Sequence, residues 1–391
     1  MQAPAARETV RPRVLVLGGY GVFGARLVRR LAAAGAADLI VAGRSLDAAR
    51  ALAGECAPST GVAVEALSID AQSDGLAGAL RERAPNIVVN ASGPFQGADY
   101  RVARACLAAG CHHIDLADDR RFVAGIAALH TAARDAGLLM VSGASSVPAL
   151  SSAVADHLAQ GLARVDDIEI GISPGQRTER GLSTVRGVLK GCGRPIDHAD
   201  GAREMAWWGT RFVRYPEPVG GRRLSPCDVP DLDLLPPRYP GQPRVRFGAG
   251  LESGLLHRGL NAMALLTRLG LVRDWSRHAP WLWRTARWFD RWGSDAGAMD
   301  VRLRGATPDG QPVTRGWALV AREGHGLHVP TLAAAALIAQ WPGGAFRTPG
   351  AGPCVGLLSL AEFQRAAQGL AITMGPWLDG PEGAEAAPGA P

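Results

Sequence analysis

Lysine is almost missing from this chain: of its 42 basic residues only Lys190 is a lysine, and the rest are arginine. A Walker-type Gly-Lys-Ser/Thr phosphate loop is therefore excluded, and so is the Tyr-x-x-x-Lys proton relay of short-chain dehydrogenases. Arginine stays protonated and replaces neither a Schiff-base amine nor a tunable proton donor. Cysteine is scarce too: six residues at irregular spacing, without a Cys-x-x-Cys, read as reduced thiols of a cytoplasmic protein. Cys106, Cys111, His112 and His113 form the one cluster that suggests metal, but no second pair of soft ligands follows at a zinc-like spacing, so no metal is expected. Long apolar runs are absent, the longest lying near Leu332 to Ala339, far below the ~18 residues of a spanning helix. Met1 to Pro12 carries Arg7, Glu8 and Arg11 and has no apolar segment, so no secretory signal is expected. The net charge of +6 is spread along the chain, basic residues alternating with acids, which speaks against a nucleic-acid partner.

What is present suits a globular protein with a full core and length enough for two domains, with 47% hydrophobic and 20% charged residues in 391. The run Val14-Leu15-Val16-Leu17 leads into Gly18-Gly19-Tyr20-Gly21-Val22-Phe23-Gly24, a helical stretch, and then Leu39-Ile40-Val41-Ala42-Gly43-Arg44-Ser45. Strand, glycine turn, helix and strand make a dinucleotide-binding unit: Gly19 for the tight turn, Gly21 for close approach of a pyrophosphate, Gly24 for helix packing. With 50 glycines in the chain a shuffled sequence gives roughly 0.8 such triplets, so the context carries the assignment. Phe23, Leu27 and Leu31 supply that context as an apolar stripe one helix face wide. No acid stands between Leu39 and Leu46, where an NAD enzyme places a carboxylate against the ribose. Arg44 stands there instead, suited to fork onto a 2′-phosphate, and points to NADP(H) as the cofactor. The alternative is that Arg44 is one more surface arginine.

Helices and strands keep alternating as far as Leu138 to Val141, giving six strands of a parallel, doubly wound sheet. Such a sheet brings Gly19, Arg44, Asp70, Asn90 and Asp115 to one crevice, although Asp70 and Asp115 suit turn or helix capping equally well. After about Val165 the pattern becomes mixed, with strands at Ile168 to Ile172, Val245 to Phe247, Met299 to Gly305 and Val313 to Val320, the last two around a Pro308-Asp309-Gly310 turn. Arg214 to Pro243, rich in Pro and Gly, reads as irregular. The expected organisation is α/β: an N-terminal extension (1–12), a Rossmann domain (13–150), an α+β mixed-sheet domain (151–345), a C-terminal segment packing back on the core (346–378) and a disordered tail (379–391).

Residues 275–292 stand apart: Trp275, Trp281, Trp283, Trp288 and Trp292 lie among Arg284, Arg287 and Arg291. They read either as an amphipathic segment at a membrane surface or over an apolar pocket, or as packing between domains or subunits.

Three further runs bring a family into view: Asn90-Ala91-Ser92-Gly93-Pro94-Phe95-Gln96-Gly97, Ala105-Cys106-Leu107-Ala108-Ala109-Gly110, and His113-Ile114-Asp115-Leu116. With the glycine loop they resemble the saccharopine dehydrogenase-like family of NADP-binding oxidoreductases. The resemblance implies that Gly19, Tyr20, Gly21, Val22, Phe23, Gly24, Arg44, Ser45, Asp70 and the Asn90-Ala91-Ser92-Gly93-Pro94 run bind NADP(H). It also implies a second domain that closes over a small-molecule substrate and forms a homodimer. Ser145-Ser146-Val147-Pro148-Ala149 departs from the Gly-x-x-Pro-Gly of saccharopine-forming members and lies nearer a branch that includes lipid-modifying enoyl reductases. Hydride transfer to or from a C=N, C=C or C=O bond of an amino-acid-derived or lipid-like substrate is the expected reaction. Tyr100, His113, Asp115 and His328 are the candidate proton donors, with His325 beside the last. The alternatives are a trans-acting enoyl reductase, or a non-catalytic NADPH-binding scaffold or membrane-associated protein.

Overall fold

A strand buried on both faces needs apolar residues in succession, and Val14 to Leu17 provide them. In the computed structural model, which describes residues 11–57 and 61–378, this run is the centre of a parallel sheet. The first half runs β1 (Arg13–Leu17), α1 (Val22–Ala33), β2 (Asp38–Gly43), α2 (Leu46–Cys56), β3 (Val64–Ser68), α3 (Leu76–Arg83) and β4 (Ile87–Asn90). It continues with α4 (Arg101–Ala109), β5 (His112–Asp115), α5 (Arg120–Gly125), α6 (His130–Asp135), β6 (Leu139–Ser142) and α7 (Ser151–Leu158). Leu27 and Leu31 of α1 are buried against one face of the sheet, while Val102 and Cys106 of α4 cover the other.

Between β5 and β6 the helical stretch is not continuous: a tighter turn at Ile126–Leu129 separates α5 from α6. The Tyr100 hydroxyl occupies the space that a Cβ of Gly125 would need, so the chain passes that point on a glycine and then tightens.

The second half contains β7 (Arg164–Ser173), α8 (Leu182–Gly191), the small pair β8 (Pro195–Asp197) and β9 (Arg203–Met205), β10 (Arg211–Tyr215), β11 (Gly220–Pro226), α9 (Asp231–Leu234) and β12 (Arg244–Ala249). Then follow α10 (Gly254–Arg268), α11 (Ala279–Ala286), β13 (Gly297–Ala306), β14 (Pro312–Ala321), α12 (Val329–Ala339), β15 (Gly350–Pro353), α13 (Leu360–Ala366) and β16 (Ile372–Pro376). The segment read as irregular from Arg214 to Pro243 thus supplies most of a β-hairpin, Val213 and Tyr215 pointing inward and Phe212 and Arg214 outward.

The first sheet has the order β15-β6-β5-β4-β1-β2-β3 and is parallel throughout. Its seventh strand is β15, from the C-terminal segment, and β16 of the same segment pairs with β14. The second sheet is mixed, β10-β11-β12-β7-β13-β14-β16, and the expected turn joins β13 to β14, with Gly310 at φ 84°. The first ten residues and the tail 379–391 lie outside the described residues. Among the described residues no helix is long and apolar enough to cross a membrane.

Candidate functional site: a dinucleotide crevice opening on an apolar chamber

Strand order reverses between β1 and β4, and a ligand crevice forms where the loops leaving those strands part. The residue that takes left-handed backbone in the first loop is Gly18, at φ 72°, rather than Gly19. A Cβ on Gly18 would sit 3.0 Å from the Ala91 carbonyl of the neighbouring loop. Gly19 is required for a different reason, since a Cβ there would lie 2.8 Å from the Val16 carbonyl. At Gly24 a Cβ would overlap the Gly18 carbonyl oxygen, so only glycine lets α1 begin so close to the turn. The first amides of α1 have no carbonyl partner within the helix, no side chain caps them and no acid lies in the first turn. Such an arrangement has the donors to take a pyrophosphate.

At the end of β2 the Tyr20 ring lies over Gly43, where a Cβ would come within 2.5 Å of it. The tyrosine hydroxyl accepts a hydrogen bond from the Ser45 amide at 2.8 Å, and the Arg44 carbonyl accepts one from the Ser68 hydroxyl at 3.2 Å. Arg44 is thereby fixed through its main chain while its guanidinium is exposed to solvent. The residues fit NADP(H): backbone donors for the pyrophosphate, and one unopposed cation where a 2′-phosphate would stand. Asn90 is buried at the end of β4 and accepts from both the amide and the hydroxyl of Ser92, at 3.1 and 2.5 Å, which shapes the Ala91-Ser92-Gly93-Pro94 turn. Asp70 accepts from the Gln72 amide at 2.9 Å, a local turn.

Beyond the crevice lies a chamber of about 1050 Å³. Its floor follows from strand register: Ala249 pairs with Ile172, Ile172 with Met299 and Met299 with Leu319, so four strands turn apolar side chains to one face in a row. Ala321, two residues on from Leu319, extends that face. The walls are Val185 and Val188 of α8, Leu256, Leu260 and Met263 of α10, and Leu282 and Trp283 of α11. Phe23 of α1 and Ser146, in the turn after β6, also line it, so the chamber and the crevice share a border.

Two contacts hold that border. Arg26 of α1 pairs with Glu179 at 3.1 Å, and the Lys190 ammonium donates to the Gln96 carbonyl at 3.0 Å. The single lysine thus joins α8 to the loop after β4. Charged side chains in the lining are mostly engaged: Arg180 donates to the Gly175 and Gln176 carbonyls at 3.0 and 3.1 Å, and Asp290 accepts from the Gln176 side-chain nitrogen at 3.1 Å. The Ser173 hydroxyl at the end of β7 is buried and makes no hydrogen bond.

None of the four candidate proton donors lines this chamber. The Tyr100 hydroxyl donates to the Phe122 carbonyl at 2.7 Å and its ring packs on Phe122. His113 is buried in mid-strand beside Val88 and Met140, and burial pushes it down to about 3. Asp115 ties β5 to β6: one carboxylate oxygen accepts from the Ser142 hydroxyl and Gly143 amide at 2.9 Å and the Ala117 amide at 3.1 Å. Burial raises it to about 6, against the lowering effect of those bonds. His328 is lowered to about 4, first by burial and then by Arg26 and neighbouring cations of α1. His325 accepts from the Ala371 amide at 2.7 Å. In the Cys106–His113 cluster the Cys111 thiol turns to the Cys106 carbonyl and His112 accepts from the Leu139 amide. The residues missed in the sequence are the chamber's own, such as Ser173 and Met299; their alternation was visible, but which strands it would join was not.

Residues 14–141 match the sequence profile of the saccharopine dehydrogenase NADP-binding domain. Apo saccharopine dehydrogenase (L-Glu forming) from Saccharomyces cerevisiae superposes with a TM-score of 0.65 at 15% identity, covering 94% of this chain and 100% of that one. A mutant meso-DAP dehydrogenase from Clostridium tetani with DAP covers 90% of this chain and 96% of its own at a TM-score of 0.43 and 11% identity. A short-chain dehydrogenase from Sphingobium yanoikuyae in complex with NADPH covers 34% of this chain and 71% of its own, at 0.26 and 21%. No curated protein matches the chain.

Proposed function

We propose that this chain, whose N-terminal third is an NADP-binding domain of the saccharopine dehydrogenase type, is an NADP(H)-dependent oxidoreductase for an apolar, lipid-like substrate. The observation that carries the reading is the row Ala249, Ile172, Met299 and Leu319, which floors a chamber bordering the dinucleotide crevice at Phe23 and Ser146. NADPH, when bound, supplies a hydride from its nicotinamide. The chain's part is to cradle the phosphates on the α1 amides, to hold the 2′-phosphate with Arg44, and to exclude water from the reacting bond with an apolar lining.

An amino-acid-derived substrate needs fixed cations for its carboxylates; of the arginines in the lining, Arg180 is spent on two carbonyls, Arg287 lies over the Trp283 ring, and Arg177 is exposed to solvent. A lipid-like enone or enoyl chain needs a hydrogen-bond donor for one carbonyl, a role open to the Ser173 or Ser146 hydroxyl, apolar surface for the rest, and one proton from water for the α-carbon after hydride has reached the β-carbon.

The test is NADPH consumption with 2-enals and enones of increasing chain length. Each methylene taken into the chamber is worth about 0.8 kcal/mol, so kcat/KM is expected to rise roughly fourfold per carbon until the chamber is full. A flat dependence on length, or turnover confined to small keto or amino acids, overturns the lipid reading. One observation favours a second function, that of a non-catalytic NADPH-binding protein: among the described residues, the chamber lining contains no His, Tyr, Cys or Lys. A rise in melting temperature with NADPH, and no turnover across the panel, would decide for it.

A further inference from the structure

Among the described residues, six of the nine large exposed apolar side chains fall on one stretch of the chain, Val188, Trp208 and Phe212 being the others. Leu255, Leu269, Leu271, Trp281, Trp288 and Trp292 all lie on α10, the connection that follows it, α11 and the closing turn to Trp292. Trp288 is 72% exposed and Leu271 70%, values that a packed interface within the chain would not leave. These elements also wall the chamber: Leu255 and Leu256 on α10, Leu282 and Trp283 on α11, and Arg287 just beyond it. The patch is therefore the outer surface of the chamber's own wall.

Its charge is one-sided. Between residues 268 and 292 stand Arg268, Arg273, Arg277, Arg284, Arg287 and Arg291, all exposed, against two acids, Asp274 and Asp290. Both acids are turned to the protein's own groups: Asp274 accepts from the Ser276 amide and Asp290 from the Gln176 side chain. The Arg291 guanidinium lies 3.9 Å from the centroid of the Trp292 ring, and that of Arg287 lies 5.3 Å from that of Trp283.

We propose that residues 268–292 dock this protein on an anionic lipid bilayer, and that the chamber takes its apolar substrate from that surface. Tryptophan favours the boundary between headgroups and acyl chains, and arginine is drawn to anionic headgroups while its stem stays in apolar surroundings. A second copy of the chain fits the patch less well, because a twofold contact sets the same surface against itself and would bring six cations against six. The second clause of the proposal rests on the lipid reading of the chamber; docking itself does not depend on hydride transfer.

Flotation of the full chain separates the outcomes, without cofactor or substrate present. Vesicles of phosphatidylcholine mixed with phosphatidylserine are expected to carry at least about tenfold more protein than phosphatidylcholine alone, the excess falling as salt rises from about 0.1 to about 0.5 M. The triple variant Trp281→Ala/Trp288→Ala/Trp292→Ala should lose flotation while binding NADPH as the parent does, which shows that it has folded. Arg284→Glu/Arg291→Glu should lose the preference for anionic vesicles. Parent protein that stays unbound with anionic vesicles overturns the proposal, as does a triple variant that floats equally well. A dimer in light scattering that the triple variant converts to monomer assigns the patch to self-association instead. Flotation without turnover on any enone would leave docking standing and remove the oxidoreductase reading, so the two fail separately.

Discussion

The crevice and the chamber adjoin, yet they are specified in opposite ways. In the crevice the main chain shapes the site: its carbonyls pack so closely that Gly18, Gly19 and Gly24 leave no room for a Cβ, and its helix-end amides are left without partners. In the chamber the main chain is ordinary sheet and helix, and the site is made by which side chains the strand register brings to one face. The difference teaches that the first site tolerates almost no substitution at a few positions, while the second distributes its properties over many. One family of ligands can be fixed in the crevice while the chamber varies.

The strongest challenge to that contrast is a single methyl group. Gly24→Ala places a Cβ against the Gly18 carbonyl, so either the turn or the start of α1 must move. NADPH affinity is expected to fall by more than about a thousandfold in calorimetry, some 4 kcal/mol, because the pyrophosphate loses its aligned donors. The matching change in the chamber, Met299→Ala, should alter chain-length preference and leave NADPH affinity within about twofold. Equal loss of NADPH in both variants would show that the two sites are not separately specified.

Arg44 is the side chain that breaks the rule of the crevice: its main chain is held by the Ser68 hydroxyl, and the role proposed for it belongs to its guanidinium. Arg44→Glu is expected to weaken NADPH by about a hundredfold, near 2.7 kcal/mol, and NADH by little, because only NADPH carries the 2′-phosphate that the new carboxylate repels. Titrating both cofactors against both proteins measures this directly. Unchanged NADPH affinity would make Arg44 the plain surface arginine that its exposure also allows.

How far each site could be read beforehand follows from the same contrast. The glycine loop, the six strands from Val14 to Val141 and the β13–β14 hairpin are local patterns, and the sequence displays them. The role of Gly18 was hidden by its neighbour, since either glycine of the pair suits the motif and only backbone dihedrals tell them apart. Gly350–Pro353 is too glycine-rich to announce a strand, yet it completes the first sheet. Pro216 and Pro218 between β10 and β11, and Gly220 and Gly221 at the start of β11, mask two short strands. The chamber was illegible because its lining runs from Phe23 to Pro330 and depends on register between strands far apart in the chain.

Asp115 sits at the exit of β5, and its burial makes stability depend on pH. A free aspartate titrates near 4, so the folded state, raised to about 6, holds its proton more tightly. That shift costs nothing below about pH 4; stability then falls as the pH rises through 6, and the full cost remains above it. Asp115→Asn keeps an oxygen acceptor for Ser142, Gly143 and Ala117 and removes the ionisation. Urea unfolding at about pH 4.5 and about pH 7.5 should show the parent losing about 2 kcal/mol more than the variant over that range. Parallel losses would mean that the charge is stabilised by something other than those three donors. Asp231, raised to about 6 and bonded by Ser151, keeps its own slope in both proteins.

The smallest expected effect concerns Tyr100, where a proton donor and a structural brace make opposite predictions. Its hydroxyl is engaged with the Phe122 carbonyl and stands in the gap left by Gly125, outside the chamber. Tyr100→Phe therefore removes one half-buried hydrogen bond and leaves the carbonyl short of a partner, a loss of about 1 kcal/mol in stability. The tilted ring contact with Phe122 is retained. With an enone that turns over, kcat should stay within about twofold of the parent, whereas a general acid would cost about a hundredfold or more. A drop of that size would place Tyr100 in the chemistry and would require the α5 turn to open in the bound state. The melting temperature and the rate, measured on one preparation, separate the brace from the acid.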